Sequence, residues 1–159
     1  MNPKHLIATT VAATALALGA HAADTPGSNP SVRTPSVGER LDSARRAIQV
    51  NDWRGALREL NVAAREEPRN AEVHNLLGYS LRKQASPDLP KAIEHYQTAL
   101  RLDPRHKGAH EYIGEAYLMD KKPAEADKHL AELEKVCGNK TCEEYAGLAK
   151  AIAEYKAKN

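Results

Sequence analysis

The sequence predicts an all-α fold built from repeated helix-turn-helix units, and three observations support it. The 159-residue chain is rich in Ala, Leu, Glu, Lys and Arg, with a single Trp and no Phe. Such a composition favours helices, because unbranched side chains lose little rotamer freedom there. Leu77-Gly78 recurs as Ile113-Gly114, and Pro68 recurs at the same offset as Pro104, which indicates an internal repeat. Ser36-x-x-Glu39 matches the capping box of a helix start.

The first element is a predicted secretory signal peptide over residues 1–22. Lys4 supplies a positive region, residues 6–20 are apolar and Ala-rich, and Ala20-His21-Ala22 presents the small residues of an A-x-A cleavage site. The apolar stretch is too short to span a membrane comfortably. No Cys lies near the predicted cleavage site, so we expect an exported, soluble product without a membrane anchor, most simply in a bacterial periplasm.

Residues 23–35 are predicted to be a flexible leader, because they offer too little apolar surface to offset the entropy of ordering. Cleavage after residue 22 would remove one of 23 basic residues and none of the 21 acidic ones, which leaves a formal charge of +1. This near balance argues against nucleic acid as a partner, since an electrostatic binder needs a basic stripe.

Three helix-turn-helix units are predicted within residues 36–138, at about 37–70, 71–106 and 107–140. Each has a small residue in its first helix, where it lets the helices approach closely: Ala44, Gly78 and Gly114. Each has an alanine early in its second helix: Ala56, Ala92 and Ala126. Asp88 is expected to cap a helix that starts at Leu89-Pro90, after Pro87 has ended the one before it.

These positions resemble the tetratricopeptide repeat family, whose 34-residue unit pairs a small residue in helix A with an alanine, a large apolar residue and a closing proline in helix B. The second unit matches best, and in the third Gly138 replaces the closing proline. The resemblance implies an α-solenoid of three such units. Residues 141–157 then form a C-terminal capping helix, with Thr141-x-x-Glu144 as its capping box.

Cys137 and Cys142 are the two cysteines of the chain, and they lie across the turn before the capping helix. In an exported chain they are expected to form a disulfide that pins this helix. A redox or metal role is the alternative, although the C-x-x-C spacing of redox-active pairs is missing.

Histidines and catalytic motifs give no further site. His106 and His110 share a helix face and could hold a metal, but no third ligand is placed by sequence, so neither a metal nor a cofactor is expected. His74 and His110 take the same position in successive units and are expected to pack in or near the core. No nucleophile elbow, phosphate-binding loop or zinc-protease motif is present, so an enzyme is not expected.

The family resemblance implies that helix A of each unit lines a concave binding groove. Carried over residue by residue, the groove lining is Arg45, Gln49, Asn75, Tyr79, Arg82, Glu111, Tyr112, Glu115 and Met119. Tyr and Arg dominate binding energy at interfaces. Some family members bind the C-terminal carboxylate of chaperones through Lys and Asn at set groove positions. This chain has Leu41 and Arg45 where the first repeat would need Lys and Asn, and Gly108 and Tyr112 where the third would need Lys and Arg, so chaperone-tail recognition is not expected.

The leading hypothesis is therefore a periplasmic adaptor or scaffold that holds a protein or peptide in its groove. The alternative is an accessory protein for metal or redox chemistry in the cell envelope, using Cys137, Cys142 and nearby histidines.

Overall fold

The computed structural model describes residues 33–159, and this part of the chain contains seven α-helices and no strand. The helices are α1 Val37–Gln49, α2 Trp53–Glu66, α3 Ala71–Lys83, α4 Leu89–Leu102, α5 Lys107–Met119, α6 Pro123–Cys137 and α7 Glu143–Lys158. The all-α prediction is confirmed. The predicted signal peptide and residues 23–32 of the predicted leader lie outside the described residues.

Side-chain caps fix the starts of several helices. Ser36 and Glu39 form the predicted capping box: the Glu39 amide donates to Ser36 Oγ at 3.3 Å, and the Ser36 amide donates to Glu39 Oε2 at 2.8 Å. Asp88 caps α4 by accepting a hydrogen bond from the Lys91 amide. Both helix starts were predicted correctly from the sequence.

The predicted capping box at Thr141 is wrong. Asn139 Oδ1 accepts hydrogen bonds from the amides of Thr141 (2.8 Å) and Cys142 (3.1 Å). Because these amides are taken up in the turn, α7 begins one residue later, with Cys142 as an N-cap that makes no side-chain hydrogen bond. Gly138, at φ 72°, ends α6 in the left-handed conformation that favours glycine.

The helices pack as consecutive antiparallel neighbours. Helices α1 and α2, α3 and α4, and α5 and α6 form three pairs, α2 contacts α3, α4 contacts α5, and α7 packs against both α5 and α6. The core runs through the stack as three adjoining apolar clusters, around Leu60, Tyr96 and Leu148. This is the predicted solenoid of three helical hairpins with a capping helix.

Two glycines set how closely helices approach. A Cβ atom on Gly78 would lie 2.7 Å from Tyr96 Cε1 and 2.9 Å from the Ala92 carbonyl oxygen. The glycine therefore allows α4 to pack closely against α3, as expected. The atoms nearest to a Cβ on Gly114 instead belong to Leu148, at 2.6 Å. Gly114 therefore makes room for the capping helix, a role that its place in the repeat did not reveal.

Cys137 and Cys142 face each other across the turn between α6 and α7. Their Cα atoms are 6.2 Å apart, within the span of a disulfide, and their sulphur atoms are 2.07 Å apart. Whether the pair is oxidised in the cell stays a prediction. None of the seven described helices has both the length and the apolar composition that crossing a membrane requires.

Candidate protein-binding surface

Seven of the nine predicted groove residues line two surface cavities. The first, here called the aromatic pocket, has a volume of about 250 Å³ and brings together α1, α3 and α5. It is lined by Arg45, Ile48, Gln49, Leu76, Tyr79 and Tyr112. The second, called the C-terminal pocket, has a volume of about 410 Å³. Its lining includes Arg82, Glu115, Met119, Ala151 and Tyr155.

Two tyrosine rings, inclined at 51° to each other, pack together in the aromatic pocket. The rings of Tyr79 and Tyr112 have centroids 4.8 Å apart, and Trp53 meets Tyr79 edge-on at 6.2 Å. Burial, followed by the charge of Glu111, raises the pKa of the Tyr112 hydroxyl to about 12, so it stays protonated at neutral pH. At the rim, Arg45 is 46% exposed and forms an ion pair with Glu72 at 2.9 Å. The pocket thus offers aromatic rings, the neutral hydroxyl of Tyr112 and the cation of Arg45.

Arg82 was predicted to be exposed in the groove, and this is wrong. It is 7% exposed, and its Nη2 lies 2.6 Å from Glu115 Oε2. Its Nε donates to the Tyr96 hydroxyl at 3.4 Å, and its guanidinium lies 5.5 Å from the ring centroid of Tyr79 and 5.7 Å from that of Tyr112. Burial lowers the pKa of Arg82, but Tyr96 and Glu115 more than offset this, so the pKa is raised. Arg82 therefore joins α3, α4 and α5.

Asn75 was also predicted to be available to a partner, but it is only 4% exposed. Its Nδ2 donates to Glu72 Oε2 at 3.2 Å. Glu72 also accepts hydrogen bonds from Arg45 and His106. Burial raises the pKa of Glu72, but these three hydrogen bonds outweigh it and lower the pKa. Asn75 thus belongs to a polar cluster between repeat units.

Glu111 lies against the capping helix and lines neither cavity. Its Oε1 is beside Gly147 of α7, where a Cβ atom would collide with it. Burial, then the charges of Glu115, Glu144 and Glu143, raise its pKa to about 7. At neutral pH the carboxyl group is therefore divided between its neutral and charged forms.

Some residues of the surface were not found from the sequence. Ile48 and Leu76 line the aromatic pocket, and neither of them was singled out from the sequence. Ala151 and Tyr155 of α7 line the C-terminal pocket. They were not predicted from the sequence as surface residues because the capping helix was given only the role of covering the last unit. Met119 is 45% exposed there.

His106 and His110, which share a helix face and were considered as metal ligands, contact different partners. The His106 ring lies against Glu72 at 3.1 Å, whereas the His110 ring lies against His129 at 3.0 Å. Among the described residues, one group of three possible ligands has its donor atoms within 4.8 Å of one another: Cys137, Cys142 and Glu144. His110 is 6% exposed, as expected for a core position.

Comparisons with known proteins agree with this architecture. A sequence profile of the tetratricopeptide repeat matches residues 41–89 and 85–134. The chain is similar to the TPR2B domain of yeast Sti1, solved in complex with pHsp70 (TM-score 0.69, 16% identity, covering 77% of this chain and 98% of that one). It is similar to the Yersinia enterocolitica translocator chaperone SycD (TM-score 0.69, 15% identity, covering 80% and 97%).

A third similar structure is the Sgt2 TPR domain of Aspergillus fumigatus (TM-score 0.68, 18% identity, covering 79% and 80%). Among curated proteins, no sequence is similar enough to count as a relative. The profile spans parts of all three helix pairs, α1 to α6. The chain therefore belongs to the tetratricopeptide repeat family.

Proposed function

We propose that this protein is an exported adaptor that binds a segment of another protein over the aromatic pocket. The observation that carries the proposal is the pocket itself: helix A of each of the three units contributes to one surface depression, and two tyrosine rings with centroids 4.8 Å apart line it. Aromatic side chains beside an arginine are the residue types that carry most binding energy at protein interfaces. No group of the pocket is arranged as a nucleophile with its base, which favours binding over catalysis.

The similar structures support a protein as the partner. The Sti1 domain was solved with pHsp70, and SycD is a chaperone of a secretion translocator. At 15–16% identity these likenesses concern the fold, so the partner is not carried over. Leu41 lies in the core cluster of the first unit, where a chaperone-tail binder needs an accessible lysine, so we expect a different partner.

Photo-crosslinking in cells would test which face binds. A photoreactive residue at Gln49, on the pocket rim, should capture a specific protein, whereas one at Arg101, exposed on α4, should not. Capture of the same protein from Arg101 but not from Gln49 would show that the helix B face binds instead.

Once the partner is identified, Tyr79→Ala should weaken its binding by roughly tenfold or more, because a central aromatic anchor is lost. Tyr79→Phe is the matched control, since it keeps the ring and its contact with the Tyr112 ring. Arg82 is unsuitable for this test because its removal would disturb the packing of three helices. Unchanged affinity of Tyr79→Ala would exclude the aromatic pocket as the binding site.

Export rests on the predicted signal peptide, and we propose cleavage after Ala22. N-terminal sequencing of protein recovered from a periplasmic fraction should begin at Ala23. Recovery of the chain with Met1 intact, or only from the cytoplasm, would contradict export.

A second candidate, metal or redox chemistry, is favoured by the proximity of Cys137, Cys142 and Glu144. Native mass spectrometry after gentle purification separates the two proposals. The adaptor should be oxidised and metal-free, whereas a stoichiometric metal ion held by reduced cysteines would support the second candidate.

A further inference from the structure

A histidine pair closes the helix hairpin of the second unit. His74 of α3 and His95 of α4 approach through their Nδ1 atoms at 3.1 Å. The other ring nitrogen of His74, Nε2, lies 3.0 Å from the carbonyl oxygen of Pro68, in the turn between α2 and α3. The pair thus joins helix A, helix B and the turn that connects the unit to the one before it.

The third unit repeats this arrangement. His110 of α5 and His129 of α6 have their Nδ1 atoms 3.0 Å apart, and His110 Nε2 lies 3.0 Å from the carbonyl oxygen of Pro104. Two units that differ in most residues thus contain the same arrangement of two histidine rings and one proline carbonyl, so it follows from the positions of the residues in the repeat.

The protons of each pair can be assigned from the partners. A carbonyl oxygen only accepts, so His74 and His110 each carry their proton on Nε2. In the neutral ring the Nδ1 atom is then an acceptor, and the Nδ1–H of His95 or His129 must be the donor. A pair that gains one proton keeps its hydrogen bond, but a pair that gains two would set N–H against N–H.

The orientation of the rings suits a shared proton better than a metal ion. Ring centroids are 5.4 Å apart in the second unit and 5.3 Å in the third, whereas the nearest nitrogens are 3.1 and 3.0 Å apart. The rings therefore point at each other almost head-on, as a linear N–H···N hydrogen bond requires. Binding one metal ion would need the two lone pairs to converge on a point beside this line.

The surroundings disfavour a charged ring at both places. Burial, then His74, lower the pKa of His95, with Glu94 acting in the opposite direction. Burial, followed by the charge of His110, lowers the pKa of His129 to about 4. The charges of Glu125 and Glu132 act to raise this pKa, and the charge of Lys128 lowers it further. The ring of Tyr117 on α5 stacks on the His129 ring, with centroids 5.8 Å apart. Both rings line a surface depression that Arg101 of α4 also lines.

We propose that the two histidine pairs are an acid-sensitive device, in which each pair holds its helix hairpin closed through one N–H···N hydrogen bond, and a second proton breaks that bond and loosens the unit. The device is independent of what the protein binds. Its consequence is that helix B separates first in the second and third units on acidification, while the first unit, which has no histidine between its described helices, is spared.

The direction of the pH effect follows from linkage. Unfolded histidines take up protons around pH 6.5, whereas His129 in the folded chain does so only near pH 4. The unfolded state therefore binds more protons between these values, and folding stability, complete above this window, is lost as the pH falls through it. Each proton taken up on unfolding raises the unfolding equilibrium constant about tenfold per pH unit.

The test compares the wild type with the double variant His95→Asn/His129→Asn in urea unfolding at pH 7.5, 6.5 and 5.5. Asparagine places an amide N–H near the Nδ1 position, and it can turn to present its oxygen if the partner histidine gains a proton. Between pH 7.5 and 5.5 the unfolding constant of the wild type should rise by about tenfold or more relative to the variant. Carboxyl groups such as Glu111 titrate in both proteins and cancel in the comparison.

His106→Asn is the matched control: it removes a histidine outside the pairs, at an N-cap where asparagine serves equally well, and should keep the acid sensitivity. Parallel pH profiles for the wild type and the double variant would overturn the proposal. Should the variant fail to fold, proton NMR of the wild-type histidines decides: a His129 ring that titrates near pH 6.5 in the folded chain refutes the device.

Discussion

At the scale of single residues, Gly78 decides how close α4 comes to α3. The approach it permits brings the hydroxyl of Tyr96 within reach of Arg82. Arg82 then lies over two tyrosine rings and pairs with Glu115, instead of facing solvent. Helical spacing places Arg82 on the same side of α3 as Tyr79, and that much was predictable. The depth of burial depends on a neighbour 14 residues away in the chain, which spacing cannot supply.

Gly78→Ala should therefore destabilise the protein, because the new methyl group meets Tyr96 and the backbone oxygen of Ala92. We expect a loss of about 1–3 kcal/mol, the usual range for overpacking. Urea unfolding measures it. Gly38→Ala is the control: a Cβ there comes no nearer than 3.9 Å to Ser36 Oγ, so it should be neutral or slightly stabilising. Equal midpoints for the two variants would contradict the packing described here.

Glu111→Gln should stabilise the protein at alkaline pH. The pKa of Glu111 is raised to about 7, so its contribution to stability is complete below the unfolded value near 4.5 and is lost as the pH rises through 7. Glutamine stays neutral throughout. Allowing for the partial exposure of this side chain, we expect a gain of about 1 kcal/mol at pH 8 and almost none at pH 5.

Urea unfolding of Glu111→Gln at both pH values makes the measurement, with Glu154→Gln, an exposed carboxylate on α7, as the control. A gain of the same size at pH 5 and pH 8 would mean that the effect is not one of protonation.

At the scale of elements, the start of α7 was harder to predict than those of α1 and α4. Ser36 and Asp88 cap their helices as the sequence motifs indicate, because no neighbouring side chain competes for the first amides. Before α7, Asn139 Oδ1 accepts hydrogen bonds from the amides of Thr141 and Cys142, so the Thr141 motif has no capping role. A local motif predicts a helix start only where the preceding turn leaves the amides available.

The turn before α7 is also where the cysteine pair acts. If Cys137 and Cys142 are oxidised, the bond closes a short loop and should contribute about 2 kcal/mol by the chain-entropy estimate. Reductant should therefore lower the melting temperature of the wild type, and α7 should show the earliest loss of amide protection. The double variant Cys137→Ser/Cys142→Ser should melt at this lower temperature with or without reductant. A wild type that gives two reactive thiols before reduction would show that the bond is absent.

At the scale of the whole molecule, the stability of each unit depends on its contacts with the neighbouring units, since each unit of a repeat protein contacts the next one. The capping helix ends this series by placing Leu148 and Ile152 against the third unit. Buried side chains of this size contribute about 2 kcal/mol each. Without α7, the fully buried Leu133 and the space beside Gly114 would face water. A solenoid can be extended by further units. If α7 did not cover the apolar face at the end of the last unit, another chain could bind there.

Truncation after Gly138 should therefore expose an apolar face that makes the shortened protein associate. We expect a concentration-dependent rise in apparent mass by light scattering and a lower, broader melting transition than that of the chain from Ala23 to Asn159. A synthetic peptide of residues 139–159, added in excess, should reverse this rise in apparent mass, because it returns Leu148 and Ile152 to their sites. The same peptide with Leu148→Asp should fail, since a carboxylate cannot enter the space above Gly114 without losing its hydration. A truncated chain that stays monomeric and melts at the full-length temperature would show that α7 is dispensable and that the three helix pairs form a complete core.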